Sequence, residues 1–119
     1  FFDNGYSRLF NFKDAKRYSR AVEYEIDEQA MTIRQVWEYG KERGKNCFST
    51  QVSGVQYLEQ TDNRLFCPGI NNQLSNGYGG HIIEINLKTG EIVSEAEVQS
   101  TGSPAFHRAN RISLYPEGL

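Results

Sequence analysis

The sequence predicts an all-β, antiparallel fold. Two observations carry that prediction. Apolar residues recur with period two rather than 3.6, and turn-forming residues interrupt the chain about every ten residues. This rhythm gives about seven short strands joined in hairpins, which suits a sandwich, a barrel or a propeller.

The elements follow in order. Over residues 18–27, Val22, Tyr24 and Ile26 point one way, and Glu23, Glu25 and Asp27 point the other. That is a half-buried strand whose carboxylates form a solvated face. Residues 32–39 put Ile33, Trp37 and Tyr39 on one face, so Trp37 and Tyr39 read as core. The link 28–31 is short enough for an antiparallel hairpin. Helix competes over 28–36, but β-branched and aromatic residues on both sides favour strand. Residues 40–50 (GKERGKNCFST) are charged and turn-rich and read as a loop. A third strand is expected over 52–59. Thr61-Asp62-Asn63 then turns the chain into a fourth over 64–67, ended by Pro68-Gly69.

Residues 71–80 (NNQLSNGYGG) suit an exposed loop, where binding residues often sit. Over 81–87, Ile83, Ile85 and Leu87 share a side. Lys88-Thr89-Gly90 is a tight turn, and 91–99 returns with Ile92, Ala96 and Val98 on a common face. Thr101-Gly102-Ser103-Pro104 breaks the chain. Residues 106–115 read as the last strand, with Ile112 and Leu114 inward. The segment INLKTGEIV is typical of the outer hairpin of a propeller blade. No clear repeat of ~40 residues is visible, as expected for two diverged blades.

Composition bounds the function classes. The 119 residues suffice for one modest domain. The net charge of −2 is mixed along the chain, so neither a nucleic-acid surface nor an acidic tail is expected. No apolar run approaches the ~20 residues of a membrane span, so no membrane partner is expected. The chain starts Phe1-Phe2-Asp3 rather than with Met, which reads like the middle of a strand in a longer parent. Cys47 and Cys67 are either a disulfide or free, partly buried thiols, and the free state is the simpler reading. With only His81 and His107 beside them they lack zinc-site spacing, so no metal is expected. No glycine-rich stretch follows a strand and opens a helix, so no phosphate loop is expected, and no cofactor.

Several segments, taken together and in order, resemble one family. FFDNGYSR resembles the Phe-Asp-Asn-Gly-x-x-Arg stretch of bacterial arylsulfate sulfotransferases. YSRAVEYEIDEQAMTIRQVWEYGKERG resembles the segment that follows it, with YSRAVEY and VWEYGKERG the most specific parts. AFHRANRISLYP resembles the family's closing strand, where a Tyr-Arg-Ala triplet usually precedes the final Leu-Tyr.

The resemblance implies about two blades of a six-bladed, periplasmic β-propeller, often homodimeric. The family moves a sulfuryl group from a phenolic sulfate ester to a phenol, without a nucleotide donor. A histidine near the propeller axis takes the group covalently, which splits one hard step into two. Fixed cationic and hydrogen-bonding groups offset the charge on the sulfuryl oxygens in transfer. The implied partners are a phenolic sulfate donor, a phenol acceptor, and the rest of the propeller or a homodimer partner.

That nucleophile lies shortly upstream of the family's Asp-Asn-Gly stretch, at which this chain begins. The resemblance therefore places no catalytic residue here, and His81 matches no catalytic motif. Substrate-binding candidates are His107 and Arg108, with His107 where the family has a tyrosine resembling an aromatic wall of the phenol pocket. Val52 and Ser53 are further candidates, because they fall where the family has a strand entering the central pocket. Asp3-Asn4-Gly5 either shapes the site or, more simply, forms a strand end and tight turn. Arg8 and Arg20 suit a sulfate by their paired donors, although surface or inter-blade ion pairs explain them as well. A non-catalytic ligand-binding propeller and a free-standing β-sandwich are the alternatives from other classes.

Overall fold

The computed structural model describes residues 1–7, 17–102 and 105–115. Among the described residues, eight antiparallel strands form two sheets: β1 (Phe2–Asp3), β2 (Arg20–Asp27) and β3 (Thr32–Tyr39) in the first. The second holds β4 (Gly54–Leu58), β5 (Asn63–Cys67), β6 (Asn72–Leu74), β7 (Gly77–Ile85) and β8 (Ile92–Gln99). The all-β, antiparallel expectation holds, and among the described residues neither sheet closes on itself.

The long strand β7 organises the second sheet. Its residues 83–85 pair with β5 and its residues 77–79 pair with β6, while β8 pairs along 79–85. Strands β5 and β6 therefore lie end to end on one edge of β7, and β8 takes the other edge. β4 pairs with β5, giving the main path β4-β5-β7-β8.

Local chemistry explains both well-formed hairpins. Asp27 Oδ1 accepts the N–H groups of Gln29 and Ala30 at 2.9 Å, turning β2 into β3. Asn86 Oδ1 likewise accepts from Lys88 and Thr89 at 2.9 and 3.1 Å between β7 and β8.

Side-chain alternation on β5 and β7 sorts the core into two clusters. Phe66, Ile83 and Ile85 face the first sheet and meet Ala21, Tyr39 and Cys47, with Phe2, Trp37 and Val55 packed around them. Leu65 and Cys67 face the opposite way and join Leu58, Ile82, Phe106 and Ala109. The second sheet is thus covered on both faces, by the first sheet and by the segment 105–111. All five residues of β5 are buried, as a central strand covered on both faces requires. Full burial of Phe66, Ile83 and Ile85 contributes about 2 kcal/mol each.

Five sequence expectations are corrected. The stretch 40–50 is not plain loop, because a 3-10 helix interrupted at Gly44 spans Lys41–Cys47. The stretch 71–80 holds the β6–β7 hairpin, and Asn72 within it is fully buried. Residues 106–115 form no strand. They meet the second sheet without a strand ladder, through side-chain packing at Phe106 and Ala109 and isolated bonds such as those between the Gln56 side chain and the Arg111 backbone. Ile112 and Leu114 accordingly point outward, at 79% and 87% exposure. Ile33 does not share a buried face with Trp37 and Tyr39. A bulge between Glu23 and Tyr24 shifts the β2–β3 register, and the outer end of the hairpin leaves Ile26 and Ile33 exposed.

Candidate functional site

The turn before β4 has an unusual backbone. Val52 and Ser53 both lie at positive φ, +53° and +82°. Consecutive left-handed residues without glycine are uncommon, and a β-branched residue there is a true outlier. Such strain persists only where surrounding bonds over-determine the conformation, and here they do. Asn4 Nδ2 donates to Ser49 O at 2.8 Å and to Val52 O at 3.2 Å. The Ser53 N–H donates to His107 O at 2.9 Å. The Gly69 N–H donates to Ser53 Oγ at 2.9 Å.

Those bonds bring the four substrate-binding candidates together. Val52 and Ser53 sit half-buried beneath an exposed His107 and Arg108, although over 50 residues separate the two pairs in sequence. The Arg108 side chain lies over Gly54, its Cγ 3.6 Å from where a Cβ on Gly54 would stand. Close backbone approach makes the arrangement possible. A Cβ on Gly69 would stand 2.2 Å from Phe106 O, and one on Gly80 would stand 2.6 Å from Phe106 Cε1. Phe106 docks in the space these two glycines leave, and its N–H donates to Gly69 O at 3.2 Å.

Behind the turn runs a buried polar network that the sequence did not signal. Ser19 Oγ accepts from Ser49 N–H at 2.8 Å and lies 2.9 Å from Asn4 O. Ser49 Oγ accepts from Asn72 Nδ2 and from Ile70 N–H, at 2.9 and 3.2 Å. Asn72 Nδ2 also donates to Ile70 O, so its Oδ1 is the acceptor facing His81 Nδ1 at 3.0 Å. His81 therefore carries its proton on Nδ1 when neutral. Its Nε2 looks toward Glu95 and Glu97 at 3.8 and 3.9 Å. Burial pushes the His81 pKa down, and Glu95 only partly opposes it.

The other singled-out residues are accounted for by structure. Arg20 Nε donates to Asp3 Oδ2 at 3.0 Å, and a second nitrogen pairs with Glu38, so its charge is engaged by carboxylates. Glu23 is not part of a purely solvated face, because Arg64 grips it with two bonds. Glu25 pairs with Arg34 on the exposed surface, and Asp27 caps its turn. Arg8 lies outside the described residues. Cys47 and Cys67 are free and buried, one in each core cluster on opposite faces of the second sheet. Burial pushes their thiols up to about 11 and about 12, so neither is a thiolate nucleophile near neutrality. Among the described residues no cluster of His, Cys, Asp and Glu is arranged to hold a metal. No helix of the described residues is long and apolar enough to cross a membrane.

Comparison with known proteins adds a lineage. The profile of the arylsulfotransferase (ASST) family matches residues 1–107, a span that includes Val52, Ser53 and His107 and stops one residue before Arg108. The chain is 38% identical over 103 residues to arylsulfate sulfotransferase AssT of Escherichia coli O6:H1. It is 37% identical over 103 residues to arylsulfate sulfotransferase AssT of Lelliottia amnigena. Each alignment covers 83% of this chain but 17% of the relative, so the chain spans about a sixth of the length of the curated relatives it matches. With the family profile matched over most of its length, the chain belongs to the arylsulfotransferase family.

Proposed function

We propose that this chain is part of an arylsulfate sulfotransferase that passes a sulfuryl group from a phenolic sulfate ester to a phenol through a sulfohistidine. The observation that carries this reading is the family match over residues 1–107. Within the five-stranded second sheet, the antiparallel path β4-β5-β7-β8 has the strand number expected of a propeller blade. It supports reading the second sheet as one blade of six and the first as part of the blade before it. The periplasm and a homodimer belong to the same reading.

In the transfer, an imidazole nitrogen attacks sulfur and the aryl oxygen–sulfur bond breaks, releasing a phenolate. A second phenol oxygen then attacks sulfur, gives up its proton, and returns the free imidazole. This chain offers one wall of the pocket and not the nucleophile. Arg108 supplies paired N–H donors for sulfate oxygens, and His107 a ring to stack on the phenol. Ser53 and Val52 hold the floor beneath them. His81 does not suit the attack. It is 3% exposed, and two carboxylates flank its Nε2, which would repel an anionic donor.

Nitrophenyl sulfate tests the reading. The isolated chain should release no nitrophenol above background, whereas the longer protein that carries it should release nitrophenol when a phenol acceptor is added. Turnover by the isolated chain would refute the placement of the nucleophile. Failure of the longer protein with every phenol offered would favour a non-catalytic, ligand-binding propeller.

A further inference from the structure

We propose that Asn4 is a positioning residue for the His107–Arg108 segment, acting through the left-handed turn at Val52–Ser53. The inference rests on the reading above, in which that segment faces the substrate. It goes beyond that reading by assigning a role to a residue that touches neither His107 nor Arg108.

The connection is a chain of bonds. Asn4 follows β1, where Asp3 Oδ1 accepts the Gly5 N–H at 3.0 Å and fixes the turn that aims Asn4 inward. From there the Asn4 amide donates both of its hydrogens across the structure, to Ser49 O at 2.8 Å and Val52 O at 3.2 Å. The Asn4 carbonyl is itself tied to Ser19 Oγ at 2.9 Å, and Ser19 Oγ accepts the Ser49 N–H. The segment 49–52 is therefore clamped at both ends by Asn4 and Ser19, which flank β1 and β2. Val52 O and Ser53 N belong to the same peptide unit, so the amide that Asn4 holds by its oxygen is the one whose N–H donates to His107 O at 2.9 Å. One rigid peptide plane thus links Asn4 on one side to His107 on the other.

The strain gives the clamp its importance. Val52 at φ +53° and Ser53 at φ +82° occupy backbone regions that neither residue favours. Without the Asn4 donors, the half-buried Val52 O loses its partner while the buried Ser49 O keeps only Ser19 Oγ, at 3.1 Å, and the Val52–Ser53 peptide is free to rotate toward ordinary dihedrals. That rotation would swing the Ser53 N–H away from His107 O and release the exposed segment above it.

Two measurements on the longer protein carrying this chain decide the matter. The first is amide hydrogen exchange in Asn4→Ala. Exchange at Ser53 should accelerate by about tenfold, together with peptides covering 105–109, while β5 and β7 keep their protection. Faster exchange everywhere would mark Asn4 as merely structural, and unchanged exchange at Ser53 would overturn the clamp. Asn4→Asp has nearly the same volume and no N–H, so it should reproduce the effect. If it behaves as wild type, the amide hydrogens are irrelevant and the proposal fails. Should Asn4→Ala not fold, Asn4→Asp carries the test alone.

The second measurement is steady-state sulfuryl transfer. The KM for the phenol acceptor should rise by about tenfold in Asn4→Ala, with kcat changed by roughly twofold at most. Localised loosening without any change in KM would show that the segment does not meet substrate, and would overturn the proposal. If the wild-type protein transfers no sulfuryl group at all, the functional reading fails instead, and the exchange experiment still judges the clamp.

Discussion

Arg64 on β5 reaches across the sheet interface to Glu23 on β2, its Nε donating at 2.8 Å to one carboxylate oxygen and a second nitrogen at 3.1 Å to the other. It is the bidentate form of ion pair, geometrically the most specific. Arg64 also donates to Asp62 O at 2.8 Å and stacks on Tyr57 at 4.6 Å. Its side chain is nearly buried while the carboxylate is well exposed. The two ends are therefore not equivalent in energy.

That asymmetry makes a prediction. Glu23→Gln keeps the volume and one acceptor, and removes charge that water partly screens, so it should cost about 1 kcal/mol or less. Arg64→Ala removes the buried stem, the stacking on Tyr57 and several donors together, and should cost about 3 kcal/mol. Urea unfolding of both variants checks the ordering. Equal losses would mean that the pair acts as a unit and that the stem contributes little.

Gly69 and Gly80 form the seat for Phe106, and a methyl group at either position meets it at 2.2 to 2.6 Å. Gly69→Ala should displace the 105–109 segment rather than tolerate the clash, uncovering Leu65, Cys67 and Ile82 on that face. A loss of about 2 kcal/mol or more is expected from overpacking and re-exposed apolar surface. Limited trypsin digestion reads it out, since Arg108 lies in the freed segment and Arg111 two residues beyond it. Cleavage there at the wild-type rate would mean that the segment is not held by this seat.

Some of this architecture is legible in the sequence and some is not, for physical reasons. Hairpins β2–β3 and β7–β8 declare themselves because each has alternating apolar residues and an Asx turn of local origin, at Asp27 and Asn86. The β6–β7 hairpin is hidden because its paired residues, 72–74 and 77–79, are mostly Asn, Gln and Gly, and Leu74 and Tyr78 alone set no hydrophobic period. Asn72 and His81 are buried there by polar bonds instead. The reverse error occurs at 106–115, which alternates like a strand but finds no ladder partner among the described residues. At the candidate site, Val52, Ser53, His107 and Arg108 were reachable only through family resemblance, since nothing local marks two segments so far apart as neighbours. Asn4 read as a turn residue because its bonds span 45 and 48 positions, and an Asn-Gly pair advertises only the turn.

His81 sets the last prediction, on pH. Burial lowers its pKa in the folded state, with Arg43 acting in the same direction and Glu95 and Glu97 opposing it. The unfolded chain therefore binds a proton at His81 more readily than the folded chain does. Stability rises with pH wherever the unfolded state holds more protons. It should therefore fall as pH drops below about 6.5, the ordinary histidine value, and keep falling until the folded His81 titrates. The slope in that window is at most about 1.4 kcal/mol per pH unit. Glu84 acts in a lower window. Asn63, and then Arg111, hold its carboxyl below the usual range, so its stabilising contribution is present above about 4.3 and is lost only on further acidification. His81→Gln separates the two. It keeps an amide N–H for Asn72 Oδ1, removes the titration, and should flatten the urea midpoint over the interval just below about pH 6.5 while leaving the more acidic limb in place. A wild-type midpoint that is already flat across that interval would mean that His81 takes up its proton within the fold as easily as outside it.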